Sequence, residues 1–165
     1  MRPFFKAVFV LLIIVVWSSC RKDFETSPSF GKLEFSKDTV FLDTVFTNIG
    51  SSTYNLKVYN KSNKNISVPS IKLGEGENSN YRLNVDGISG KIFEGVEILA
   101  KDSIYIFIET TINYNNVTNP VYQDEIIFDT GENIQEVPLI TLVKDAHFLF
   151  PSKNTNGLSE TITTG

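Results

Sequence analysis

"SIYIFIETTI", residues 103–112, sets the fold class. Ile104, Ile106 and Ile108 fall on one side of an extended chain, and Tyr105 and Phe107 on the other. That is a period of two, not the 3.6 of a helix. The side chains are β-branched or aromatic, which suits a pleated surface. With apolar residues on both faces at its centre, the segment predicts a central strand.

Working outward, the same alternation recurs in short stretches separated by Gly, Asn, Asp and Ser. Leu33 and Phe35 open the body, and "TVFLDTVF" (39–46) predicts a first strand with an irregularity near Asp43. "TYNLKVYN" (53–60) places Tyr54, Leu56 and Val58 on one face, and "KSNKN" is the turn that follows. In "ISVPSIKL" (66–73), Pro69 has no N–H for a ladder, so an edge or a bulge is expected there. "YRLNV" (81–85) runs into the turn Asp86-Gly87, and "KIFEGVEIL" (91–99) is expected to break at Gly95. "YQDEIIFDT" (122–130) and "IQEVPLITLV" (134–143) close the set through a hairpin link. The expectation is an all-β, antiparallel β-sandwich of about seven to nine strands, with a barrel as the alternative.

The chain has 165 residues, room for one such domain and little else. Its 15 basic and 19 acidic residues give a net charge of −4. A mildly acidic body argues against nucleic acid as a partner, because phosphate binding needs concentrated positive charge.

The start is of another kind. Ala7 to Trp17 is an apolar run of eleven residues, where a helix spanning a bilayer needs about 20. Arg2 and Lys6 precede it, and the small pair Ser18-Ser19 leads to Cys20, the only cysteine. This is the layout of a secretory signal helix cleaved between Ser19 and Cys20. Cleavage would leave Cys20 to be acylated, making membrane lipid the first expected partner. A single cysteine also rules out an intrachain disulfide and a thiolate cluster. Residues 1–19 are thus expected to be a signal peptide, and 20–32, with Pro28 and Gly31, a flexible tether. The sandwich is expected over 33–148, and 149–165 as a disordered tail or a truncated linker to a missing domain.

Several phrases carry resemblances to known proteins. Arg21, Lys22, Asp23, Phe24 and Glu25 resemble the charged stretch behind the acylated cysteine of surface lipoproteins of the Bacteroidota, which implies export to the outer leaflet. Trp17 departs from the lipoprotein signal pattern, which has an aliphatic residue at that place. "DTVFTNIGS" (43–51), "LNVDG" (83–87) and "ILAKDSIYIFIE" (98–109) resemble immunoglobulin-like modules of the ASH/MSP type. They are similar, more closely, to the N-terminal domain of large Bacteroidota lipoproteins that continue into a right-handed parallel β-helix. That resemblance implies an outer-membrane, lipid-anchored module. Asp38-Thr39-Val40, Asp43-Thr44-Val45 and Asp102-Ser103-Ile104 resemble the Asp-Ser/Thr-aliphatic acceptor of bacterial protein O-glycosylation, which makes Thr39, Thr44 and Ser103 candidate sites. Asn65 and Asn116 fit the N-glycosylation pattern.

No catalytic set emerges. His147 is the only histidine and has no thiol or second imidazole with which to bind zinc. Asp124 and Glu125 are adjacent on a strand, so they point to opposite faces and do not flank one bond. Glu75, Glu77 and Asp86 lie in loops without calcium-loop spacing. The expectation is a non-enzymatic spacer, adhesion or presentation module without metal or cofactor. The alternative is a carbohydrate-capture module in which Tyr59, Tyr105 and Tyr122 stack on sugars, so a polysaccharide or protein partner stays open.

Overall fold

The computed structural model describes residues 27–28, 33–113, 119–145, 153 and 155–158. The expected signal peptide, Cys20, the Lys22–Glu25 stretch, Asn116 and His147 lie outside the described residues, as does most of 149–165.

Two sheets pack face to face as an all-β, immunoglobulin-like sandwich. One contains β1 (Ser27–Pro28), β3 (Val40–Phe46), β5 (Ile66–Leu73), β8 (Ile92–Ile98), β10 (Val121–Asp129) and β11 (Ile134–Lys144). Its main path runs β8-β5-β10-β11-β3, with β1 beside the start of β5. The other sheet has the order β2-β4-β9-β6-β7, where β2 is Glu34–Phe35, β4 Tyr54–Tyr59, β6 Tyr81–Val85, β7 Ile88–Gly90 and β9 Ser103–Thr110. The opening segment is β9, the middle strand of its sheet. Inward residues from both sheets make one core, including Leu56, Val58, Ile106 and Ile108 from one side and Ile71, Leu73, Ile126, Phe128 and Leu139 from the other. Phe35 caps it by packing on Phe128, ring centroids 4.7 Å apart.

Most pairs are antiparallel, as the sequence predicts. The exceptions are β3 on β11 and β1 on β5, which are parallel. Parallel neighbours cannot be joined by a tight hairpin, and each of these pairs is distant in sequence.

The irregularity near Asp43 is a bulge. Leu42 pairs with Thr141 and Val45 with Val143, so Asp43 and Thr44 together face Leu142. Leu42 and Val45 are both buried although three residues apart, which an unbroken period of two forbids. The Asp43 N–H donates to Tyr54 Oη at 2.9 Å and so holds the bulge.

Pro69 is not at an edge. Strand β5 lies inside its sheet, between β8 and β10. The β8 ladder pairs Val68 with Val96 and Ser70 with Glu94 but skips Pro69, and the β10 ladder begins at Ser70. No neighbour needs the N–H that proline lacks. Gly95 lies level with Pro69 and has φ +62°, a left-handed conformation that favours glycine. Both strands slip phase here together, since Val68 and Ile71, like Phe93 and Val96, pack on the core at a spacing of three. Strand β8 therefore continues through Gly95 rather than ending there.

Asp86 (φ +48°) and Gly87 (φ +88°) form a two-residue turn with Val85 paired to Ile88. Two left-handed residues match the twist of a hairpin. The short strand β7 on its far side had no period of its own to predict it.

Candidate functional site

Strand β9 carries an outward row as well as its core row. Tyr105 and Phe107 are 45% and 42% exposed, so the second face of this central strand is open to solvent. An antiparallel sheet can leave one face wet, which is what happens here. The two rings are stacked, with centroids 6.1 Å apart and planes 13° from parallel, and form one exposed apolar cluster. Lys57, paired with Tyr105 in the ladder, sets its ammonium 5.1 Å from that ring and 5.3 Å from the ring of Tyr59. Cation–π attraction from one lysine to both rings orders the row.

Phe107 has an asparagine abreast on each neighbouring strand, Asn55 on β4 and Asn84 on β6. Beyond it opens a groove of about 510 Å³ whose walls include Arg82, Asn84, Ser89 and Glu109. Glu77 and Lys91 enter from the sheet margin. These polar groups are held by neighbours. Arg82 lies 3.5 Å from Glu109 Oε2 and donates to Thr111 Oγ1 at 3.0 Å. Thr53 donates to Glu109 at 2.5 Å. That hydrogen bond, with the Arg82 guanidinium, holds the Glu109 carboxyl below the usual range. Asn84 donates to Ser89 and accepts from the Gly87 N–H, while Lys91 Nζ donates to the carbonyls of Glu77 and Ser79, 2.7 Å each. Arg82 keeps unused N–H donors and Glu109 unused lone pairs.

Tyr122, the third aromatic expected to meet a sugar, is elsewhere. It is half-buried on β10, stacked on Tyr81 at 5.1 Å, and donates its hydroxyl to Glu75 at 2.6 Å. Burial raises the Tyr122 pKa, and the Glu75 bond adds to it; burial does the same to Tyr81, which donates to Thr141. Beside them, Asp124 is buried and Glu125 part-exposed; although the two are adjacent on the strand, the Glu125 side chain curls back so that both carboxylates meet beside Gly74, not on opposite faces as expected. Burial and the charges of Asp124, Glu136 and Glu75 raise the Glu125 pKa. Asp86 is exposed in its turn. Among the described residues, no group of three or more His, Cys, Asp or Glu side chains is arranged to hold a metal ion.

The candidate acceptors are all part-exposed. Thr39 directly precedes β3, Thr44 lies in the bulge and Ser103 opens β9. Asp43 and Asp102 each accept from the N–H of the following residue, Thr44 at 3.0 Å and Ser103 at 2.7 Å. Nothing brings the three together.

No family model and no curated protein matches the chain. Among solved structures, the chain is similar to a family 123 glycoside hydrolase from Clostridium perfringens studied for glycolipid glycan hydrolysis. That match has 12% identity and a TM-score of 0.44 over 66% of this chain, and spans 23% of that one. A FixG-related protein from Vibrio parahaemolyticus matches at 15% identity and a TM-score of 0.40, over 59% of this chain and 81% of that one. Neither likeness carries a function across.

Proposed function

We propose that the chain is a non-enzymatic, lipid-anchored module of the cell envelope that spaces or presents whatever follows its last strand. Cleavage before Cys20 and acylation of that cysteine supply the anchor, and Lys22–Glu25 direct the body to the outer membrane and its surface.

The observation that carries this reading is where the chain enters and leaves the sandwich. Strand β1 lies beside Ile66 and Ser67, at one pole. Ser70 is level with Asp129 and hence with Ile134, so β1 sits about four residues below the start of β11. Strand β11 ends at Lys144, beside Phe46, at the opposite pole. At about 3.3 Å per residue, entry and exit are roughly 45 Å apart. An anchor at one end and an exit at the other is the geometry of a spacer. The acidic and phenolic groups inside the body, Asp124 and Tyr81, are engaged in holding loops and strands, which also supports a role by position.

The test is Cys20→Ala in the native host. The wild-type protein should incorporate labelled palmitate and fractionate with membranes, and the variant should do neither. A wild-type protein without acyl label would overturn the anchor.

A further inference from the structure

We propose that the outer face of the β2-β4-β9-β6-β7 sheet binds a neutral oligosaccharide, with one sugar ring stacked on Phe107 and its hydroxyls met by Arg82, Asn84 and Glu109. This site is independent of the lipid anchor and lies on a face that the spacer role does not use.

Three observations converge. First, a pyranose ring has an apolar C–H face and a rim of hydroxyls. It needs a flat apolar surface beside planar hydrogen-bonding groups. Phe107 supplies the surface, since it lines the groove and is 42% exposed, and Tyr105 stacks against it as support. Asn84, Arg82 and Glu109 lie next to it and present an amide, a guanidinium and a carboxylate, each able to bridge neighbouring hydroxyls. Second, these groups are already oriented by bonds to Ser89, Thr111 and Thr53, so binding would cost little ordering of side chains. Third, the charges in the groove cancel. Arg82 and Lys91 face Glu77 and Glu109, and Lys91 is tied to two carbonyls. A polyanion would gain nothing from such a groove, whereas a neutral polar ligand would meet donors and acceptors alike. The volume, about 510 Å³, lies within the range for small-ligand sites.

The experiment is a glycan array of neutral and acidic oligosaccharides, probed with the full chain in a detergent that carries no sugar headgroup. Calorimetry on the neutral hits follows. Phe107→Ala and Arg82→Ala should each weaken binding at least tenfold without moving the thermal midpoint by more than a few degrees. Phe41→Ala, an exposed aromatic on the other sheet, should bind as the parent does. Absence of neutral-glycan binding overturns the proposal. So does binding confined to acidic glycans and lost in salt, or neutral binding that survives both groove variants. Capture of a protein in place of any glycan counts against it equally.

Discussion

Asp124 can occupy the interior because every approach to its carboxylate is a donor. Ser79 Oγ reaches it at 2.5 Å, and the N–H groups of Glu75 and Glu125 at 3.1 and 2.9 Å. A buried carboxylate without such bonds would be strongly destabilising. Gly74 is next to it, and the reason is steric. A Cβ there would stand 2.5 Å from Glu125 Oε1 and 2.7 Å from Asp124 Oδ1. Glu125 can swing toward solvent, but Asp124 cannot move without releasing its donors. Gly74→Ala should therefore lose about 1–3 kcal/mol in urea unfolding, the scale of an overpacked interior. Removing the mobile side chain as well, in Gly74→Ala with Glu125→Ala, should not restore it. An unchanged urea midpoint would show that Asp124 is free to yield. Alternation along the strand makes the backbone directions of Asp124 and Glu125 legible, but not the return of the Glu125 carboxylate to Gly74. The burial is hidden too, because two of the three donors come from a loop 45 and 49 residues earlier.

Strand β3 shows how an element reconciles its pattern with its partner. Alternation in "VFLDTVF" fails between Leu42 and Val45, and the ladder absorbs the failure by setting two residues against one. Deleting Thr44 would therefore leave a regular ladder with Leu42 and Val45 still inward, at the cost of a bulge held by one hydrogen bond to Tyr54. Deleting Phe41 instead would turn Leu42 outward and bring Asp43 into its place, since a one-residue shift exchanges the faces. Thermal unfolding should find the first deletion within about 1 kcal/mol of the parent. The second should lose more than about 3 kcal/mol, from a vacated leucine site and a buried charge. Equal losses would mean the bulge is required for itself. The same reasoning explains what the sequence could tell about the other strands. A run such as "SIYIFIET" declares its inward residues by its own period, so the long strands and the core are legible. Which strands become neighbours is set across the fold. Pro69 consequently suggests an edge or a bulge; the strand lies inside its sheet, and the skipped ladder position, Gly95 opposite it and the late start of the β10 ladder make that interior place tolerable. Tyr122 looked like Tyr105 in sequence, yet a stacking partner and Glu75 draw it inward.

At the scale of the molecule, the parallel pairing of β3 with β11 and of β1 with β5 sends the chain in at one pole and out at the other. The turn around Asn60 belongs to the entry pole. Its buried amide donates to the carbonyls of Lys64, Ile98 and Leu99 and accepts from Ser62, locking that end into one piece. Six residues lie between Cys20 and Ser27, and the seven steps from one to the other, fully extended, reach at most about 25 Å. A body anchored at Cys20 is thus constrained to keep its entry pole near the bilayer, while its exit pole can stand roughly 45 Å farther out. Because Cys20 is the only cysteine and acylation would consume its thiol, one added cysteine can be labelled alone. Asn63 marks the entry pole and Lys144 the exit, and both are exposed. With the lipidated protein in vesicles that carry an acceptor on the lipid headgroups, a donor dye on Asn63→Cys should transfer energy strongly, and one on Lys144→Cys only weakly. Transfer falls with the sixth power of distance, so 45 Å separates the two cases clearly for an ordinary dye pair. Equal transfer would mean that the sandwich lies flat on the membrane. The proposed sugar-binding face runs along the length of the body, so an upright stance is also the one that leaves it open to solvent.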